Sequence, residues 1–247
     1  MSVRLLSILY RMVLIKKIRR FHYWKKGYMD EELREVKPIS FMTGQGDALY
    51  TRDKSVTNLV DIKGLKIHAV TPLLQHKVKL WGGVPLAVPF TDLYTALQKK
   101  TIDGMLLNYN VMVYFKLNEV LNYATLPATG SVCSAFVMNK KTFEKLPPEG
   151  KAFVEETGME YSKMFGMGWD KMCDMVRDLF FKTGGKEVQW APSAIQKREE
   201  LEGPMWEAWI ADREKRGLPG RKAVDDLYYI FKDLGVVPTA AGYAPAK

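Results

Sequence analysis

Cysteine and histidine are scarce in this chain of 247 residues, which has two cysteines, Cys133 and Cys173, and three histidines, His22, His68 and His76. Two thiols cannot build a disulfide framework or a four-ligand zinc site, so no metal and no cofactor is expected. The sequence has no GxSxG elbow, no P-loop, no HExxH and no CxxC, which leaves enzyme chemistry little to stand on. Long apolar runs are also missing. With 26% charged residues, no stretch approaches the roughly 20 apolar residues that span a bilayer, and no transmembrane segment is expected. There is no internal repeat and no low-complexity tract, and 47% hydrophobic composition suits one or two compact domains rather than a disordered, collagen-like or coiled-coil chain.

Acidic residues are absent from one place. Residues 1–26 contain Arg4, Arg11, Lys16, Lys17, Arg19, Arg20, Lys25 and Lys26 and no acid, so they hold eight of the nine net positive charges. The rest of the chain is nearly neutral and has no strong attraction for phosphate, so no nucleic-acid partner is expected for it. Residues 1–27 read as a basic N-terminal arm. The arm makes a poor secretion signal. Its apolar stretch from Leu5 to Ile15 is interrupted by Arg11, its cationic cluster follows the apolar part, and it has no small-residue cleavage site.

Between Lys66 and Tyr109 the pattern alternates. Lys66–Val70 reads as a strand. Pro72 opens a helix that runs to Trp81 and ends at Gly82-Gly83, and Val84–Val88 is the next strand. Thr91 is placed to cap a helix with Leu93, Tyr94 and Leu97 on one face, and Asp103-Gly104 turns into the strand Met105–Leu107. This β-α-β-α-β succession predicts a parallel sheet with helices on its faces. Ligands of such sheets sit beyond the carboxyl ends of the strands, which here are His68–Thr71, Pro89-Phe90 and Asn108–Asn110.

The second half reads as helical. From Pro147-Pro148 to Gly184-Gly185, Tyr161, Phe165, Trp169, Met172, Val176 and Leu179 recur every three or four residues. That spacing predicts a helix of more than about 30 residues, roughly 45 Å long, which bridges two lobes. A strand at Glu187–Trp190 follows, then helices at Ala194–Lys215 and Arg221–Leu234. Gly44-Gln45-Gly46 starts a GxGxxG pattern, but Leu49 occupies the third glycine position, so a tight turn is expected. Cys133 and Cys173 read as buried thiols, Trp81 as helix-face core and Arg52 as a solvated turn charge.

The runs VDIKGLKIHAVTP (60–72), GGVPLAVPFTDLYTALQKKTIDG (82–104), FKLNEVLNYATLP (115–127), FVMNKKTFEKLPPEGKAFVEE (136–156) and RGLPGRKAVDDL (216–227) resemble the solute-binding subunit of TRAP-type tripartite transporters, the DctP family. The resemblance runs from about Tyr28 to about Leu234. It implies an α/β, periplasmic-binding-protein-like fold of two lobes joined by a hinge, with one long helix spanning both. Such a protein catalyses nothing. It captures a small organic acid in the periplasm and delivers the carboxylate to the membrane permease subunits of the transporter for import. Family members begin with an export signal and most of the first lobe, where this sequence has its basic arm, so the resemblance implies an N-terminally truncated chain with an incomplete first lobe. Residues 28–46 and 131–170 are then the remnant of lobe I, and residues 47–130 and 171–247 are lobe II plus the C-terminal helices. A lobe short of strands leaves apolar edges uncovered and a marginal fold. The alternatives are a non-transporting remnant, or a peripheral module whose arm binds anionic lipid or nucleic acid.

The resemblance also implies a site. His68 stands where the family carries an arginine that forks onto the solute carboxylate, Leu107 stands where an asparagine is often found, and neutral Ala48 falls near a second cleft arginine. A histidine of ordinary pKa is about one quarter protonated at pH 7. Losing a charge-assisted contact of about 1.5–3 kcal/mol weakens a carboxylate roughly 10- to 150-fold. Phe90 matches an aromatic that packs on the solute, and Thr71, Asn108 and Tyr109 supply hydrogen bonds. For Phe90 and Tyr109 the alternative is ordinary core packing, and for His68 it is a structural histidine with its hydrogen bonds satisfied. The expected solute is more apolar than a dicarboxylate, an aromatic or branched monocarboxylate bound better below pH 6.5.

Overall fold

Short apolar runs punctuated by proline, glycine and aspartate feed strands and helices alternately. The computed structural model, which describes residues 26–127 and 131–233, has them in that order. The strands are β1 (Val36–Gly46), β2 (Ala48–Thr51), β3 (Lys66–His68), β4 (Val84–Leu86), β5 (Gly104–Leu107), β6 (Tyr123–Leu126), β7 (Ser131–Asn139) and β8 (Lys186–Gln189). The helices are α1 (Leu59–Ile62), α2 (Pro72–Leu80), α3 (Leu93–Gln98), α4 (Asn110–Tyr114), α5 (Lys140–Glu144), α6 (Pro148–Lys182), α7 (Pro192–Lys215) and α8 (Gly220–Asp233). The chain is therefore mixed α/β. None of these helices is long and apolar enough to cross a membrane.

Contacts divide the chain into two units. The first takes the described residues within Met1–Gln45, Val132–Lys171 and Asp212–Pro238, and the second those within Gly46–Ser131 and Met172–Ala211. Helices α6 and α7 each supply residues to both units.

The second unit is built on six strands in the order β4-β3-β5-β2-β6-β8. β3 lies parallel to β4 and β5, and β6 parallel to β8. β2 is antiparallel to β5 and β6, so the sheet is mixed and not all-parallel. Side-chain alternation splits the core between the two faces. Leu49, Ile67 and Leu106 join Val78, Trp81 and Trp190 in one apolar cluster, while Tyr50, Met105 and Leu107 join Leu93, Leu97 and Phe180 in the other. Each large side chain so buried contributes about 1.5–3 kcal/mol.

Local chemistry sets the ends of the elements. Thr71 Oγ1 accepts from the Leu74 N–H at 3.2 Å, Pro72 opens α2, and Gly82, at φ +89°, follows its last turn. The cap expected from Thr91 does not form. A 3₁₀ turn at Phe90–Asp92 leads into α3 instead, and the Thr91 hydroxyl bonds the Asp92 carboxylate at 3.2 Å. Arg52 is likewise not a solvated charge. Its Nη1 donates to the carbonyls of Leu97 (2.6 Å) and Gln98 (2.8 Å) at the end of α3, and the Leu97 carbonyl also accepts from the Lys100 N–H.

The first unit holds a two-stranded sheet of β1 and β7. β1 continues through Gly44–Gly46, where a tight turn was expected, because pairing with a distant strand overrides the local preference. Gly158 lets α6 lie on β1, since a Cβ there would come within 2.0 Å of the Ile39 carbonyl oxygen. One turn later Ser162 donates to the Gly158 carbonyl (2.9 Å) and accepts from the Phe41 N–H (3.3 Å). Phe136, Val137, Phe153, Met164 and Met167 of this unit are exposed. Ion pairs link its segments, with Arg216 on Glu31 at 2.6 Å, Lys26 on Asp226 at 2.9 Å, Arg213 on Glu32 and Lys37 on Glu155. The basic arm up to residue 25 and the Cys133 side chain lie outside the described residues.

Candidate functional site

Three neighbouring parallel strands of the second unit, in the order β4-β3-β5, end on one edge of the sheet. His68 is the last residue of β3, where it pairs with Leu86 and Met105. Phe90 follows the end of β4, and Asn108 follows the end of β5. Sheet geometry places ligands at this edge.

His68 is fully buried, and alternation puts it on the face opposite Ile67. The Val88 N–H donates to its Nδ1 at 3.2 Å. A ring nitrogen that accepts carries no proton, so the neutral ring is protonated on Nε2. That Nε2 is buried and has no hydrogen-bond partner. Burial holds the imidazole below its ordinary pKa, and no charged group adds to the shift. Protonation would also break the bond to Val88, because both nitrogens of an imidazolium donate. The geometry therefore supplies a neutral donor, and the tighter binding expected below pH 6.5 loses its basis.

Phe90 is 37% exposed. Its ring meets His68 edge-to-face at 5.8 Å between centroids and stacks on Phe115 at the same distance, with 21° between planes. Asn108 is half-buried, and its Oδ1 has no partner. Thr71 lies on the surface with its hydroxyl accepting from the α2 backbone. Leu107 and Tyr109 are buried in the cluster that includes Leu93 and Phe180. The structure thus brings His68 and Phe90 together, sets Asn108 on the adjoining strand end, and turns Leu107 and Tyr109 into the body of the unit.

Behind this edge runs a polar network that the sequence did not single out. The Tyr109 hydroxyl donates to Glu187 Oε1 at 2.5 Å, and Arg177 forks onto both oxygens of the same carboxylate. Burial first, then the Glu187 charge, raises the Tyr109 pKa far above its ordinary value. The buried Cys173 thiol donates to Asn110 Oδ1 at 3.3 Å. The only sequence signal for this network is an arginine and a glutamate of opposite charge flanking Gly184-Gly185.

A depression lined by Thr51, Arg52, Lys54 and Asp103 lies at the opposite ends of the parallel strands and holds about 40 Å³. Ligand pockets run to roughly 300–1,000 Å³, so it is too small for an organic acid. Among the described residues no three His, Cys, Asp or Glu side chains gather as metal donors. Along this edge stand the buried His68 Nε2, the Asn108 Oδ1 and the partly exposed Phe90 ring.

A family model described as DctP, bacterial extracellular solute-binding protein, family 7, matches residues 13–212. A solute-binding protein of Albidiferax ferrireducens is 27% identical over 197 residues, which is 76% of this chain and 58% of that protein. A solute-binding protein of TRAP type from Desulfovibrio salexigens superposes with a TM-score of 0.78 at 21% identity, covering 90% of this chain and 67% of that one. A marine metagenome protein of the same type, specific for aromatic acid ligands, superposes with a TM-score of 0.73 at 24% identity, covering 84% of this chain and 68% of that one. At these identities the structural likeness is one of fold. The chain spans 58% of the length of the Albidiferax protein.

Proposed function

Starting from a chain that belongs to the bacterial extracellular solute-binding proteins of family 7, we propose that it is the solute-binding component of a TRAP transporter. In this reading it takes up a small organic acid in the periplasm and hands it to the membrane permease subunits for import, catalysing nothing and using no metal or cofactor. The observation that carries the proposal is the match of the family model across residues 13–212. The edge formed by His68, Phe90 and Asn108 supplies a place for the solute. His68 and Asn108 make polar contacts there, Phe90 packs on the solute, Thr71 lies at the rim, and Leu107 and Tyr109 back the site. The marine metagenome relative is specific for aromatic acids. The exposed Phe90 ring with Phe115 behind it supports the same preference here, an aromatic or branched monocarboxylate over a dicarboxylate.

Thermal unfolding of the full chain with a panel of aliphatic, aromatic, keto and dicarboxylic acids tests the reading. One acid class should raise the melting temperature in proportion to occupancy, since a ligand at 100 times its Kd adds about 2.7 kcal/mol. A melt that no acid moves would speak for a chain that no longer binds solute.

A further inference from the structure

A second polar cluster of this unit lies with the apolar residues on the Ile67 face of the sheet, away from His68. At its centre Glu202 of α7 is buried with both oxygens engaged. Oε1 accepts from Trp81 Nε1 at 2.9 Å, and Oε2 pairs with Lys77 Nζ at 2.8 Å. One turn earlier on the same helix stands Arg198, only 6% exposed. Its Cζ lies 5.2 Å from the centre of the Trp190 ring and 5.6 Å from that of Trp81, and the two indoles meet at 5.9 Å. These distances gather one guanidinium and two indoles into a single contact group.

The group is short of acceptors. Arg198 Nε stands 3.6 Å from Glu202 Oε1, too far for a hydrogen bond, and neither Nε nor Nη1 has a hydrogen-bond partner among the described residues. Trp190 Nε1 is likewise buried without an acceptor. Glu202 and the adjacent Glu199 attract the guanidinium against its burial, yet bond neither of these nitrogens. An arginine does not escape burial by losing its proton, and water would fill a donor's need without offsetting its charge. Lys77 and Arg198 outnumber Glu202 by one charge. Asp47 is drawn toward Lys77, but burial pushes its carboxyl up to about 6, so below that pH it adds no negative charge.

We propose that Arg198 and the Trp190 N–H hold a small monovalent inorganic anion, a halide, which supplies the missing acceptor and ties α7 to the sheet. Arg198, Trp81 and Trp190 are all buried, and that closure favours a single atom over an organic acid. The site is separate from the His68 edge, so this proposal and the solute-binding reading stand or fall independently.

The line width of the chloride NMR signal and the tryptophan fluorescence of the full chain, both at pH 5, test it. The protein should broaden the chloride signal, and added iodide should remove the excess. Iodide quenches indoles on contact, and Trp81 and Trp190 are too deeply buried for collisions from solvent. A bound iodide should therefore add a saturating component to the linear quenching of exposed tryptophans, and chloride should compete it away. Arg198→Leu should lose both signals while leaving the basic N-terminal residues intact, which separates the site from loose anion attraction there. Because a variant at a buried arginine risks misfolding, Trp190→Phe is the second. Its Nε1 has no partner among the described residues, so the fold loses no hydrogen bond. Chloride affinity should still fall about ten-fold or more, the worth of one hydrogen bond to a charged group. No excess broadening in the wild type would mean that water alone meets these donors and would overturn the proposal. A saturable signal that survives either variant undiminished would overturn it as well.

Discussion

Both units leave large apolar side chains exposed, Val60, Tyr114 and Met175 in the second and Phe153, Met164 and Met167 in the first, but the second also packs two extensive buried clusters. In the second, two clusters fill the two faces of a six-stranded sheet, and Leu49, Tyr50, Ile67, Met105 and Leu106 are all fully buried. In the first, a pair of strands leaves Phe136, Val137, Phe153, Met164 and Met167 open, and its segments are tied by ion pairs near the surface. Burial is worth a few kcal/mol per large side chain, whereas an exposed ion pair is worth about 0–1 kcal/mol. The comparison teaches that the candidate site stands on the unit whose stability comes from packing. The sharpest way to break the comparison is a matched truncation. Leu106→Ala, at a fully buried position, should cost about 2–5 kcal/mol in a denaturant titration. Met164→Ala, at a position 63% exposed, should stay within about 0.5 kcal/mol. Equal losses would mean that Met164 is covered in solution.

Acid-base behaviour separates the units further. Asp47, in the second unit, is buried, and burial pushes its carboxyl up to about 6 against the opposing pull of Lys77. The folded state then holds a proton that the unfolded chain has lost, so the stability this group contributes is complete below about pH 4 and is lost as pH rises through about 6. Asp47→Asn removes the ionisation. Relative to the wild type, the variant should gain up to about 3 kcal/mol between pH 4 and pH 8. Unfolding curves of both proteins at the two pH values measure this, and a gap that does not widen with pH would place Asp47 in contact with water.

The same contrast governs what the sequence disclosed. The stretch from Lys66 to Leu107 was legible because Pro72, Gly82-Gly83 and Asp103-Gly104 mark each change of direction locally. β2 was not legible. It has four residues, all buried, with no alternation, and its pairing with β5 and β6 makes it a strand. Helix α6 was legible in length and its stripe in part: Val176 is buried and Met172 packs against the same cluster, whereas Leu179 is partly exposed and the off-stripe Cys173 and Phe180 are buried. Arg52 was misread because its acceptors, the carbonyls of Leu97 and Gln98, lie 45 and 46 residues away. Strand-end reasoning sets His68, Phe90 and Asn108 at the ends of β3, β4 and β5, and the structure has them at those positions. The protonation of His68 depends on a backbone N–H twenty residues later, which no local pattern encodes.

The smallest expected effect lies in the first unit and runs against pH in the other direction. Asp226 is paired with Lys26 at 2.9 Å and Lys222 at 3.2 Å and accepts from the Tyr28 hydroxyl. Partial burial raises its pKa, but the bonds from Tyr28, Lys26 and Lys222 outweigh that and hold it at about 2. A carboxyl depressed in the folded state contributes stability that is present above its unfolded pKa near 4 and is lost as pH falls through about 2. Its partners are largely exposed, so solvent screening limits the contribution to under about 1 kcal/mol. Asp226→Asn should therefore speed amide hydrogen exchange in α8 slightly at pH 7 and leave it unchanged near pH 2, while exchange in β3 and β5 stays the same at both. Raising the salt to about 1 M, where the screening length falls to about 3 Å, should reduce the effect of the substitution in α8. If exchange in β5 responded as strongly as exchange in α8, the two units would share one cooperative transition, and the division between a packed unit and an ion-paired one would not describe how the chain unfolds.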